Sequence, residues 1–244
     1  MSPTSSGCGY QENRGQRRIE TIGKSSKHRT LFLSDFHLGS RQCQAKRLYD
    51  FLWRNDAEHI YLIGDIIETS ALFHRRWPPF HDDVMKLLYE KVLGGTRITF
   101  VPGNHDKLFR YHLGDYGSLR IADHARHTSA TGKMFLIIHG DETDLLRIDV
   151  LLWAITKVEA LTKISLWEAL RKYIGPVIDH HTIAYENKIM ALAMERGFLG
   201  VVCGHIHRPN IVDRGALYLN PGDWTWHCTA IGEDDQGNFE MLYG

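Results

Sequence analysis

The chain has 244 residues, 43% of them hydrophobic, with 29 Lys and Arg against 29 Asp and Glu. That length supports one good core in one domain, and zero net charge argues against broad electrostatic capture of nucleic acid, which needs a basic field. Fifteen His is the count that leans toward chemistry, because imidazole is the commonest metal ligand and a near-neutral acid or base.

Residues 1–29 carry six Lys and Arg against two Glu and no apolar stretch, which predicts a disordered basic leader rather than a secretory signal. The remainder, 30–244, reads as the folded domain. Leu31, Phe32 and Leu33 form an apolar run without alternation, a strand covered on both faces, and it runs out into Asp35 and His37. Arg41 to Asn55 has the spacing of an amphipathic helix. Ile60 to Ile63 is a second buried strand ending in Gly64-Asp65. A helix over Asp82 to Leu93 follows, then a strand over Ile98 to Val101 that ends in Pro102-Gly103-Asn104-His105-Asp106. Strand, helix, strand, helix, strand predicts a largely parallel sheet, in which ligands bind beyond the carboxyl ends of the strands.

Met134 to Ile138 is a fourth strand, ending in His139-Gly140-Asp141. Residues 142–197 leave the strand-helix rhythm and read as a helical insertion, apolar nearly all round, with Leu152, Trp153 and Trp167 among its large side chains. Such a surface either packs in the core or meets an apolar substrate or a membrane. Leu199 to Cys203 is a fifth strand before Gly204-His205-Ile206-His207-Arg208-Pro209. Short strands over Ile211–Val212, Leu217–Leu219, Trp226–Ile231 and Phe239–Leu242 predict a second, mostly antiparallel sheet. No run reaches the eighteen or so apolar residues of a spanning helix, and four scattered Cys without a CxxC fit a reducing cytosol.

Seven donors therefore sit just past strands: Asp35, His37, Asp65, Asn104, His139, His205 and His207. Nitrogen and oxygen without a thiolate suit Mn, Fe, Co, Ni or Zn, and seven are too many for one tetrahedral ion but suit two sharing a carboxylate. Asp65 is the expected bridge. Arg41 and Arg208 flank the corners as candidate phosphate grips, and Trp224 either stacks a base or caps the second sheet.

In order, DFH, GDIIE, GNHD, HGD and GHIHRP resemble the five blocks of the calcineurin-like metallophosphoesterase superfamily. The resemblance implies an α/β fold, a four-layer αββα sandwich of two mixed sheets flanked by helices, with a dinuclear centre in which Mn is the first choice. Asp35, His37 and His207 would hold one ion, Asn104, His139 and His205 the other, and Asp65 both. His105 would protonate the leaving oxygen or steady the phosphoryl group, with Asp106 orienting it from behind. Such a centre would acidify a water for direct attack on phosphorus, so no phospho-enzyme would be needed.

DFHLGS, GDIIE, the helical insertion and YLNPGDWTWHCTA further resemble the UDP-2,3-diacylglucosamine pyrophosphatase group of lipid A biosynthesis. That resemblance implies UMP and a lipid monophosphate as products, an acyl-chain groove lined by Trp153, and a cytoplasmic enzyme peripheral to an inner membrane. At His105 this chain departs from the group, which carries Arg there. The alternatives are another nucleotide, phospholipid or nucleic-acid phosphodiester as substrate, or a binding scaffold without catalysis.

Overall fold

The structure is a computed structural model that describes residues 26–73, 77–141 and 166–244. β1 (Ser26–Leu33) starts inside the stretch expected as leader, and pairs from Ser26 onward with β2 (Asn55–Ile63) in parallel. Leu31 and Leu33 enter one core cluster and Phe32 another, which is why the sequence shows no alternation here. Between these strands, α1 (Ala45–Arg54) buries Ala45, Leu48, Phe51 and Leu52. α2 (Thr69–Phe73), α3 (Pro79–Leu93) and β3 (Arg97–Val101) follow. Pro79 suits the first turn of α3, where its missing N–H has no helical acceptor to lose.

Between Asp106 and Met134 the sequence reading assigns no element. The structure places there a 3-10 helix over Lys107–His112, then β4 (Gly114–Tyr116), β5 (Leu119–Ile121) and β6 (Ala125–Thr128). β7 (Met134–Ile137), α4 (Leu166–Glu195) and β8 (Gly200–Val202) come next. The chain closes with β9 (Asn210–Asp213), β10 (Leu217–Asn220), β11 (Thr229–Glu233) and β12 (Phe239–Tyr243). Of the expected insertion, 142–165 with Leu152 and Trp153 lies outside the described residues.

Seven strands form one sheet in the order β12-β11-β1-β2-β3-β5-β4, and five form the other in the order β6-β7-β8-β10-β9. Both sheets are mixed. The C-terminal strands do not make a sheet of their own, which corrects the sequence expectation. β9 and β10 complete the second sheet, whereas β11 crosses back to pair antiparallel with β1. Phe32, Tyr61, Val101, Phe135 and Val202 fill the space between the sheets. The first sheet buries its outer face under α1 and α3, and the second under Ile189, Met190 and Ala193 of α4. The layers are thus α, β, β, α, and the carboxyl ends of β1, β2, β3, β7 and β8 carry the five corners.

One buried ion cluster ties the sheets together far from those corners. The Glu233 carboxylate has no solvent exposure; it accepts from Arg29 Nη1 at 2.8 Å and from the Ala130 amide at 2.8 Å, and lies 2.8 Å from His127 Nε2. Burial opposes its ionisation, but His127 and the Ala130 amide outweigh that and hold its pKa below the ordinary value of 4.5. A depressed carboxyl contributes stability above its unfolded pKa and loses it as pH falls through the folded one. The unfolding midpoint is therefore expected to drop as pH is lowered below about 4.5, and Glu233→Ala is expected to cost about 3 kcal/mol at neutral pH and flatten that acid limb, read by denaturant melts across pH.

Candidate metal centre

Five of the seven corner donors have a backbone conformation that L residues rarely adopt: Asp35 (φ 53°), His37 (49°), Asp65 (53°), His205 (72°) and His207 (52°). Each costs on the order of 1 kcal/mol, and such strain persists only where surrounding contacts impose it. Here the loops hold one another. The Asp35 amide donates to Gly64 O at 3.0 Å, the His37 amide to Asp65 O at 2.8 Å, and the Trp224 amide to Asp35 O at 3.0 Å. The His205 amide donates to Asp35 Oδ2 at 3.1 Å. A Cβ on Gly103 would collide with Asp65 Oδ1 and the His139 ring, so glycine there lets the β3 corner close on the centre.

The donors converge. His37 Nε2 is 3.3 Å from His207 Nε2, and His207 Nε2 is 3.2 Å from Asp35 Oδ1. On the other side His139 Nε2 is 3.2 Å from Asn104 Oδ1, and the His205 ring centroid lies 5.1 Å from that of His139. Asp65 stands between the sets: Oδ2 is 3.9 Å from His37 Nε2 and Oδ1 is 3.5 Å from His139 Nε2. Ligand atoms each about 2.1 Å from one ion lie roughly 3.0 to 3.4 Å apart, which the 3.2 and 3.3 Å separations within each set match, while Asp65 stands just beyond that range from both sets. Among the described residues Asp35 Oδ1 is also buried without a well-aligned hydrogen bond, its 3.2 Å approach to His207 Nε2 being an ion-pair contact, so it has capacity to spare for an ion. The residues present fit divalent metal.

The electrostatics of the metal-free chain point the same way. Burial opposes ionisation of Asp65, but His139, His37 and His105 hold its carboxyl well below the carboxylate range. Burial likewise opposes protonation of His139, and Asp65 reverses it, raising that imidazole to about 10. His207 is raised to about 8 by Asp35 against the same burial. Clustered carboxylates that draw protons onto neighbouring imidazoles offer a cation a favourable potential, which makes this a candidate metal site.

The partner of the His105 ring is Glu68, a residue the sequence reading quotes inside GDIIE without a role. Glu68 Oε2 lies 2.7 Å from His105 Nδ1 and 3.7 Å from His37 Nδ1. The hydrogen bond that His105 donates to Glu68 raises the His105 pKa, and accepting from His105 and His37 lowers that of Glu68. Asp106, expected behind His105, instead accepts backbone amides: Gly103 at 2.6 Å, Ile66 at 2.7 Å, Ile67 at 3.2 Å and Asp65 at 3.3 Å. It knits the β2 and β3 corners together. Its position three residues past Gly103 signals a loop-closing acceptor as readily as a residue that orients His105.

The expected substrate residues fare unevenly. Arg41 is exposed on the loop past the β1 corner. Arg208 is engaged, donating to Asp179 Oδ1 at 2.9 Å and Thr182 Oγ1 at 3.1 Å, which ties α4 to the β8 corner. Trp224 neither faces ligand nor caps the second sheet; it is fully buried against Phe36 and Phe51 in the core under α1. Trp153 lies outside the described residues.

Two mixed sheets between helices hold a histidine and carboxylate cluster beyond their carboxyl edges, and together with the sequences it resembles this marks the chain as a metal-dependent hydrolase. The chain belongs to the calcineurin-like phosphoesterase family, whose sequence profile matches residues 28–209. Two relatives are each named UDP-2,3-diacylglucosamine hydrolase. That of Psychromonas ingrahamii is 24% identical, over 83% of this chain and 92% of the relative. That of Pseudomonas aeruginosa strain UCBPP-PA14 is also 24% identical, over 85% and 96%. A solved structure of a conserved uncharacterized protein from Streptococcus pneumoniae is 15% identical, covers 88% of each chain and has a TM-score of 0.43.

Proposed function

We propose that this hydrolase cleaves the diphosphate of UDP-2,3-diacylglucosamine to UMP and 2,3-diacylglucosamine 1-phosphate, using two divalent cations, Mn in preference to Fe, Co, Ni or Zn. The observation that carries the two-ion reading is Asp65, whose two oxygens face separate histidine sets 3.9 and 3.5 Å away. The substrate is supported by the names of the relatives.

In this reading Asp35, His37 and His207 hold one ion, Asn104, His139 and His205 the other, and Asp65 both. Bound cations supply Lewis acidity, acidifying a water and neutralising phosphoryl oxygens as charge develops. The chain supplies the rest. Glu68 accepts from His105 Nδ1, which leaves Nε2 directed inward, 4.0 Å from Asp65 Oδ2 and placed to give its proton to a leaving oxygen. Asp106 keeps both loops in register by holding four amides. Arg41 remains the exposed cation for a distal phosphate, and Arg208 reaches one only by releasing Asp179. The acyl groove at Trp153 and a peripheral position on the cytoplasmic membrane face belong to the same proposal. No described helix is long and apolar enough to cross a membrane.

The test is release of UMP from UDP-2,3-diacylglucosamine with and without Mn, beside a soluble aryl phosphodiester. Fast Mn-dependent UMP release with little aryl ester turnover is the expected result. Turnover of the aryl ester alone would discard the lipid substrate and keep the hydrolase. A nucleic-acid substrate would show itself in steeply salt-dependent binding.

A further inference from the structure

Asn104 and His139 meet across the two sheets, because β3 belongs to one and β7 to the other. Their 3.2 Å contact is therefore set by no single ladder of strand hydrogen bonds. The β1 and β8 corners have a direct tie in the His205 amide, which donates to Asp35 Oδ2. Between the β3 and β7 corners, the ion pair that joins them among the described residues is made by Arg110, on the 3-10 helix over Lys107–His112. Phe109 anchors that helix, its ring 5.5 Å from that of Phe100 on β3. Arg110 then turns back over the corner. Its Nε and Nη2 donate to Pro102 O at 3.3 and 3.0 Å, and Nη2 also donates to both carboxylate oxygens of Asp141, at 2.9 and 3.0 Å. Asp123 Oδ1 lies 3.7 Å from Nε. Pro102 stands two residues before Asn104, and Asp141 two residues after His139, so one guanidinium spans both ligand corners.

We propose that Arg110 is a positioning residue that fixes the spacing of Asn104 and His139, and with it the affinity of the ion those two would share with His205. The proposal rests on the two-ion reading and adds to it the residue that sets one half of the centre. A guanidinium suits the task because its planar fork donates to a carbonyl and a carboxylate at once in fixed directions, which a single ammonium does not reproduce. Charge alone predicts the opposite effect. A cationic side chain beside a cation site repels the ion, so removing it as a charge would tighten metal binding, whereas removing it as a clamp loosens that binding. The direction of the change therefore separates the two roles.

The experiment is calorimetric titration of the metal-free full chain with Mn, with bound ions counted by elemental analysis. Wild type is expected to take two ions. Arg110→Ala is expected to weaken one of them by at least about tenfold and to leave the other at its wild-type affinity, with an unchanged far-UV spectrum. Which ion is affected follows from combination. Added to Asn104→Ala, Arg110→Ala is expected to bring no further loss, whereas added to Asp35→Ala it leaves no tightly held ion. Asp141→Asn keeps the shape of its side chain and is expected to weaken the same ion by about tenfold, which carries the test if Arg110→Ala fails to fold. Unchanged or tighter binding by Arg110→Ala overturns the proposal. Equal weakening of both ions by either variant overturns it too, assigning the pair to the fold as a whole. A wild type that takes a single ion overturns the two-ion reading instead, and the clamp then stands if Arg110→Ala weakens that ion and falls if it does not.

Discussion

Asp65→Ala is expected to abolish metal-dependent turnover, a fall in kcat/KM of at least about 10³-fold, with loss of bound metal measured by elemental analysis of the purified protein. In the proposed centre every other donor would serve one ion, whereas Asp65 presents Oδ2 toward His37 and Oδ1 toward His139. Removing it leaves Asp35 as the one carboxylate among the seven corner donors, so both ions are expected to weaken together. Asp35→Ala should differ, depleting the ion held with His37 and His207 before the other. If Asp65→Ala keeps two ions per chain, or hydrolyses normally, the bridging assignment is wrong. The substitution also removes the acceptor of the His105 amide, a 2.8 Å hydrogen bond worth roughly 1 kcal/mol, so a melt must accompany the kinetics.

Much of this centre is legible in the sequence because each donor follows an apolar run of strand length. Leu31–Leu33 before Asp35, Ile60–Ile63 before Asp65 and Ile98–Val101 before Asn104 are strands whose carboxyl ends a parallel sheet must bring together. Glu68 is less legible. It lies three residues past Asp65, where an acid reads as a solvated turn, and only the return of the β3 corner brings His105 onto it. Trp224 misleads for a related reason: its neighbours in sequence are turn residues, while its burial depends on Phe36 and Phe51 from elsewhere in the chain. The sheet assignment of β11 fails on range, since Thr30 pairs with Glu233 across almost the entire domain and no local periodicity encodes that choice. β4 and β5, at three residues each, are too short to show alternation.

His105→Ala is expected to lower kcat by about 10²-fold to 10⁴-fold while metal content stays at the wild-type level, because in the proposed role the ring protonates the leaving oxygen, which the cations would not do. The size of the loss should depend on the leaving group. A p-nitrophenol oxygen departs without a proton and should suffer least, whereas an alkyl oxygen must be protonated as its bond to phosphorus breaks and should show the full loss. Equal losses with both would move His105 from proton donor to stabiliser of the phosphoryl oxygens. Glu68→Gln separates positioning from donation. It keeps the side-chain shape but removes the charge that fixes His105 Nδ1 at 2.7 Å and raises its pKa. A loss of about 10-fold to 100-fold is expected, smaller than for His105→Ala and with the same leaving-group pattern. The double variant should then be no worse than His105→Ala alone, since a residue that acts through the imidazole has nothing to orient once the imidazole is gone. Additive losses would mean that Glu68 serves the centre by another route, and its 3.7 Å approach to His37 Nδ1 names that route as the ion held on the His37 side.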